Sequence, residues 1–139
     1  MICFAMDKPN QLFKAFSDAT RLRILNLLAQ REHCVCEFQK ILNVPQPTIS
    51  RHLAYLRRSK LVQTRRHGKM ILYSLSPASN GVHASLLRCL RGCFTKIGFL
   101  QRDIMRDRQS KPMFWNNNTC GTPARRNRSC GTKTKRCHA

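Results

Sequence analysis

Acidic residues are scarce in this chain: six Asp and Glu among 139 residues, against 26 Lys and Arg, for a formal charge of +20. So few carboxylates leave little for general acid–base chemistry, and no set of nucleophile, base and orienting group is visible, so an enzyme is not expected. Long apolar runs are lacking as well. No stretch approaches the roughly 20 apolar residues of a membrane-spanning helix. The opening Met1-Ile2-Cys3-Phe4-Ala5-Met6 ends at Asp7 with neither a charged n-region nor a cleavage pattern, so no signal peptide is expected. The cytoplasm is then the expected compartment, where thiols stay reduced and the eight Cys read as metal or redox chemistry rather than as a disulfide framework. The length excludes a cofactor domain joined to a substrate domain, and no small organic substrate is expected. What is present in excess is positive charge. A chain this basic repels itself, and its natural partner is a polyanion, nucleic acid before membrane.

Composition changes near residue 110. Residues 1–110 hold 19 basic and all six acidic residues, a net of +13, and read as one folded domain. Residues 111–139 hold seven basic and no acidic residues, few aliphatics and Cys120, Cys130 and Cys137. This basic Cys-containing tail cannot bury enough apolar surface to offset the entropy of ordering it, and is expected to be disordered when free.

Within 1–110 the pattern is mostly helical with one small β-hairpin. Leu12, Phe13 and Phe16 predict a short first helix. Asp18 is a candidate N-cap for a second helix over 19–30, built on Leu22, Leu25, Leu28 and Ala29. Cys34, Phe38, Ile41 and Leu42 predict a short third helix closed by Asn43 and Pro45. Pro47 suits the first turn of a fourth, with Ile49, Leu53 and Leu56 inward and Thr48, Ser50, Arg51, Tyr55 and Arg58 more outward. The period then shortens. Leu61–Thr64 and Met70–Leu75 predict two strands joined by a turn over Arg65-Arg66-His67-Gly68-Lys69. A long last helix is expected from about 80 to 107, weakened at Gly92 and Gly98. On it His83, Leu86, Leu90, Cys93, Ile97, Leu100 and Ile104 alternate spacings of three and four, a heptad seam. Such a seam most simply buries against a second copy, so Leu86, Leu90, Cys93, Ile97 and Leu100 are the expected dimerisation residues of a homodimer.

A short helix, a Pro-containing turn, an amphipathic helix with a polar and basic outer side, and a basic hairpin directly after it describe a winged helix-turn-helix. Its second helix can enter a major groove, where Gln46, Thr48, Ser50, Arg51 and His52 would face base edges. Arg58, Arg65, Arg66 and Lys69, with Arg57 and Lys60, suit phosphates, which supply affinity and register more than sequence preference. No acidic residue lies between Glu37 and Asp103, a gap that frames the whole unit. Tyr55 suits either stacking on the nucleic-acid backbone or covering core.

Three segments carry a resemblance: Phe16-Ser17-Asp18-Ala19-Thr20-Arg21-Leu22-Arg23-Ile24-Leu25, Gln46-Pro47-Thr48-Ile49-Ser50-Arg51-His52-Leu53, and Leu61-Val62 before the wing. Over 12–77 the chain resembles the ArsR/SmtB metalloregulators, which are dimeric winged-helix repressors. Glu32-His33-Cys34-Val35-Cys36-Glu37-Phe38 is similar to the Glu-Leu-Cys-Val-Cys-Asp-Leu box of its arsenic- and cadmium/lead-sensing members. The resemblance implies a repressor that releases double-stranded operator DNA when Cys34 and Cys36 bind As(III) or Sb(III). The chemistry agrees, because soft thiolates select thiophilic ions and a helix N-terminus favours the thiolate. Two thiols two residues apart converge on one ion only if the first helical turn loosens, and that loosening would be the switch. Three-ligand arsenic sensors carry a third Cys where this chain has Gln39, so either two thiols suffice or a third ligand comes from Cys3, Cys89 or Cys93. Cd(II) or Pb(II) is the alternative inducer, and a general basic nucleic-acid-binding protein with incidental Cys is the alternative of another class. The zinc site that other members carry on the last helix needs Asp and His pairs, and His83 has no acidic neighbour.

Overall fold

The structure, a computed structural model, describes residues 3–110, with the side chains of residues 9–110. The segment 111–139 lies outside the described residues. Six helices and one hairpin follow in order: α1 Cys3–Phe16, α2 Ala19–Leu28, α3 Val35–Leu42, α4 Gln46–Arg58, β1 Val62–His67, β2 Met70–Leu75, α5 Gly81–Gly92 and α6 Gly98–Gln109, with a single 3₁₀ turn over Phe94–Lys96 between the last two. Mostly helical with one two-stranded antiparallel hairpin, this is the winged helix-turn-helix.

The caps sit where local chemistry puts them. Asp18 is extended (φ −102°, ψ 130°) and its Oδ1 accepts from the Arg21 N–H at 2.9 Å, which starts α2. Asn43 closes α3 in the left-handed region at φ 54°, where Asn is among the better-tolerated residues, and its N–H donates to the Gln39 carbonyl. Pro45 precedes α4 and Pro47 lies in its first turn. Ile49, Leu53 and Leu56 are all buried, so the inner face of α4 is the expected one. They join Ile24, Leu25 and Leu27 of α2, Phe38 and Ile41 of α3, and Leu61 and Val62 in one core. Each such side chain contributes about 1.5–3 kcal/mol relative to remaining exposed.

Four expectations change. The first helix is longer than expected, running from Cys3 through Pro9, and Phe13 points outward while Leu12 and Ala15 are buried. The second ends at Leu28 rather than 30. The hairpin turn is only Gly68-Lys69, with Gly68 at φ +60°, so Arg65 and Arg66 belong to strand β1 rather than to a loop. A two-residue turn matches the natural twist of paired strands better than a five-residue one.

The largest correction concerns the last helix, which is not continuous. It breaks at 93–97: α5 ends at Gly92, a 3₁₀ turn follows, and Ile97 is extended (ψ 121°) before α6 begins at Gly98. No heptad seam therefore runs through Leu86, Leu90, Cys93, Ile97 and Leu100. Leu90 and Leu100 are fully buried within the protomer, Leu86 packs on the same core, and Cys93 is exposed. Gly92 and Gly98 flank the break inside the two helices, neither at positive φ, and what α6 gains by turning back holds the break in place. Its Asp103 receives both guanidinium arms of Arg23 at 2.6 and 2.7 Å, Asp107 pairs with Arg31, and the Leu100 carbonyl accepts from Asn26 Nδ2 at 3.2 Å. Buried carboxylates are stable only when paired in this way.

Candidate nucleic-acid interface and thiol pair

The start of α4 presents its side chains in two grades of exposure. Gln46, Ser50 and Arg51 are exposed, while Thr48 and His52 are half-buried. His52 Nδ1 stands 3.8 Å from the Asp18 carboxylate. Burial pushes the Asp18 carboxyl up, but its hydrogen bond from Arg21 and the charges of Arg21 and His52 outweigh that and hold it below the ordinary value. Tyr55 is half-buried with the Arg21 guanidinium 4.4 Å and that of Arg58 5.9 Å from its ring centre. Its ring therefore carries cations, a role intermediate between the two its sequence position suggested. Arg58 is exposed beside it.

On the wing, Arg66, His67 and Lys69 are exposed, and Arg66 Nε donates to the Gly68 carbonyl at 3.2 Å. Arg65 is differently placed. Its Nε donates to both Glu32 oxygens at 2.8 and 2.9 Å. That hydrogen-bonded contact lowers the Glu32 carboxyl and raises the Arg65 guanidinium. Arg65 is thus tethered to residue 32, whereas Arg66 and Lys69 are the exposed cations beside it.

Cys34 is the N-cap of α3, extended at φ −93° and ψ 166°, and 1% exposed. Cys36 lies in the first turn and is half-buried. Only one of the two thiols is inside the helix, so less of the helix must loosen for them to converge than two in-helix positions would require. The surroundings are built from charge. Glu37 Oε2 accepts from the Cys34 N–H at 2.9 Å and its Oε1 from Arg31 at 3.1 Å. Arg31 also reaches Asp107 of α6, and His33 Nε2 stands 3.0 Å from the same carboxylate. Burial pushes Asp107 up, yet the hydrogen bonds and charges of His33 and Arg31 hold it below the ordinary carboxylate value.

The other sulfurs are arranged unequally. Cys89 and Cys93 are one turn apart at the end of α5, and the hydrogen bond between them, then burial, pushes the Cys89 thiol above its ordinary value. Cys3 begins α1, but its side chain lies outside the described residues, as do Cys120, Cys130 and Cys137. Among the described residues, no three His, Cys, Asp or Glu side chains come together closely enough to hold an ion. Neither Cys89 nor Cys93 therefore completes a three-ligand set with Cys34 and Cys36 in this arrangement. His83 is buried and its Nδ1 accepts from the Ser79 N–H at 3.1 Å, and burial pushes its pKa down. Sequence reasoning missed the Arg31, His33 and Asp107 network and the Glu32–Arg65 pair. Their signal was the acid scarcity itself: Asp18, Glu32, Glu37, Asp103 and Asp107 are each engaged by a named partner.

A family model described as bacterial regulatory protein, arsR family, matches residues 18–64. The chain is 51% identical over 70 residues to the arsenical resistance operon repressor of Escherichia coli K12, a match that covers 50% of this chain and 60% of that one. The chain thus spans less than two thirds of that relative's length. HlyU from Vibrio cholerae superimposes with a TM-score of 0.57 at 35% identity, covering 66% of this chain and 97% of that one. The winged helix-turn-helix domain of Mb0332 from Mycobacterium bovis, described as homodimeric, gives 0.55 at 27% identity over 63% of this chain and 76% of that one. Relatives of this kind are regulators rather than enzymes. No described helix is long and apolar enough to cross a membrane.

Proposed function

The chain belongs to the arsR family of bacterial regulatory proteins, and on that premise we propose that it is a transcriptional repressor that leaves its operator when Cys34 and Cys36 bind As(III) or Sb(III). The observation that carries this reading is the position of the thiols: they open α3, whose Phe38 and Ile41 share one core with Ile49 and Leu53 of α4. A change at the first turn of α3 is felt by the recognition helix through close-packed side chains. Gln46, Thr48, Ser50, Arg51 and His52 would read bases, and Arg58, Arg65, Arg66 and Lys69 would hold phosphates.

The repressor would act as a homodimer. Phe13 of α1 and Phe99 and Met105 of α6 are large apolar side chains at 57%, 38% and 60% exposure, and both helices pack on α2. A contiguous exposed apolar patch marks an association surface, and on this reading these side chains, rather than a heptad seam, supply the dimer contacts. Each recognition helix would then enter one of two major grooves about one helical turn apart, ~34–36 Å.

Replacing Cys34 and Cys36 together by Ser is expected to leave operator binding intact and to abolish release by arsenite, measured by fluorescence anisotropy on a labelled duplex. Persistent release by arsenite in that variant would sink the assignment. Titration of the unmodified protein with Cd(II) in place of arsenite distinguishes the inducer, because two thiols with no third ligand beside them among the described residues suit trivalent arsenic less well than three. Stronger release by Cd(II) would move the reading to a cadmium/lead sensor.

A further inference from the structure

Residues 32 and 33 stand between the thiol pair and two distant parts of the fold. Glu32, two residues before Cys34, grips Arg65 of β1. His33, immediately before Cys34, exchanges both backbone hydrogen bonds with Tyr73 of β2, at 3.1 and 2.8 Å, as a one-bridge third strand of the wing. Its ring is fully buried. Nε2 meets Asp107 of α6 at 3.0 Å, Nδ1 meets the Arg31 carbonyl at 3.0 Å, and the ring lies 5.2 Å from that of Phe38. One dipeptide therefore contacts both wing strands, the last helix and the core side of α3, and runs directly into the first thiol.

We propose that Glu32 and His33 are the coupling residues of the switch, carrying ligand binding at Cys34 and Cys36 to the wing through Arg65 and Tyr73 and to α6 through Asp107. This rests on the thiol pair being the sensor. Cys34 is 1% exposed and the adjacent His33 is fully buried, so Cys34 cannot turn toward an ion shared with Cys36 without displacing His33 and its neighbours. Close-packed interiors pass such displacements on rather than absorb them. The displaced neighbours are the wing, which carries Arg66 and Lys69, and α6, which carries the exposed Phe99 and Met105. A route through the wing and α6 exists beside the direct one from α3 to α4, and it can change the spacing of two recognition helices as well as the orientation of one.

The test uses the full chain and a duplex it selects from a random pool. Duplex affinity is measured with and without arsenite, and arsenite binding is followed separately by thiolate absorption. The ratio of the two affinities is the coupling factor, ordinarily about 5- to 150-fold in allosteric proteins. Glu32→Gln loosens the grip on Arg65, and Asp107→Asn weakens the contact with His33. Glu32→Gln also frees Arg65 for phosphate and raises affinity in both states, an effect the ratio cancels. Both variants are expected to bind arsenite with the stoichiometry of the unmodified chain. The coupling factor falls about threefold in Glu32→Gln, as suits a half-exposed pair, and toward one when both changes are combined. By linkage, the penalty that DNA imposes on arsenite binding shrinks by the same factor. A purely structural role would lower the melting temperature and leave the ratio alone. If Asp107→Asn does not fold, Glu32→Gln decides by itself, since its pair lies at the surface. An unchanged coupling factor with arsenite fully bound overturns the proposal. A chain whose DNA affinity ignores arsenite, or a doubly Ser-substituted chain that still releases, overturns the sensor assignment instead.

Discussion

Asp107 concentrates the electrostatics of the folded domain at one residue. It is 5% exposed, accepts from Arg31 and stands 3.0 Å from His33 Nε2, and its carboxyl is held below the ordinary value near 3.8. As pH falls, the unfolded chain takes up this proton before the folded one does. The stabilisation is therefore complete above the ordinary carboxylate range and is lost as pH falls through the lower, folded value. Asp18 and Glu32 are depressed as well and act in the same direction. Thermal melts are expected to show stability declining from about pH 5 downward. Asp107→Asn should flatten that decline and lower stability at neutral pH by about 1–3 kcal/mol, because Arg31 and His33 lose a charged acceptor. A variant with the same acid limb as the unmodified chain would show that Asp107 does not contribute to it.

On the proposed reading, recognition helix and wing are expected to fail differently, because one would face bases and the other phosphates. Arg51→Ala on α4 should cost about 1–3 kcal/mol at one base-pair position and relax preference there. Arg66→Ala and Lys69→Ala on the wing should weaken all duplexes alike and each reduce the slope of log affinity against log salt by about 0.9. Equal salt slopes for Arg51→Ala and Lys69→Ala would contradict this division. The break between α5 and α6 makes a prediction of its own. A Cβ at Gly92 meets nothing within 4 Å. Gly92→Ala should stabilise the protein by about 0.4–1 kcal/mol through the unfolded chain without fusing the helices, since the Arg23–Asp103 and Arg31–Asp107 pairs hold α6 where it is. Loss of stability in a urea melt would mean that the break depends on the glycine.

At the scale of the whole molecule, charge and association are separable. Residues 111–139 bring seven of the 26 basic residues and no acidic ones, so their removal should lower affinity mainly at low salt and leave the ranking of duplexes unchanged. Collapse of that ranking in competition assays would make the protein a general nucleic-acid binder instead. Phe99→Glu with Met105→Glu should give monomers by sedimentation and weaken operator binding, since two half-sites would no longer be held at once.

The sequence by itself determined the parts whose rules are local. Helical period sorted Ile49, Leu53 and Leu56 inward on α4, Asp18 and Asn43 marked helix ends, and the change of period announced the wing, because each depends on residues a few positions apart. Cys34 and Cys36 stood out for the same reason. Tertiary structure decided what depends on partners far away in the chain. A heptad reading of residues 83–104 was locally consistent, but Arg23 and Asp103 are 80 positions apart, and His33 and Asp107 are 74 apart. Burying those two carboxylates against α2 and the thiol segment required the last helix to turn back. Periodicity registers apolar spacing and carries no information about which arginine a distant aspartate will meet, so only the folded chain could show that its few acids join the thiol pair to the wing and the last helix.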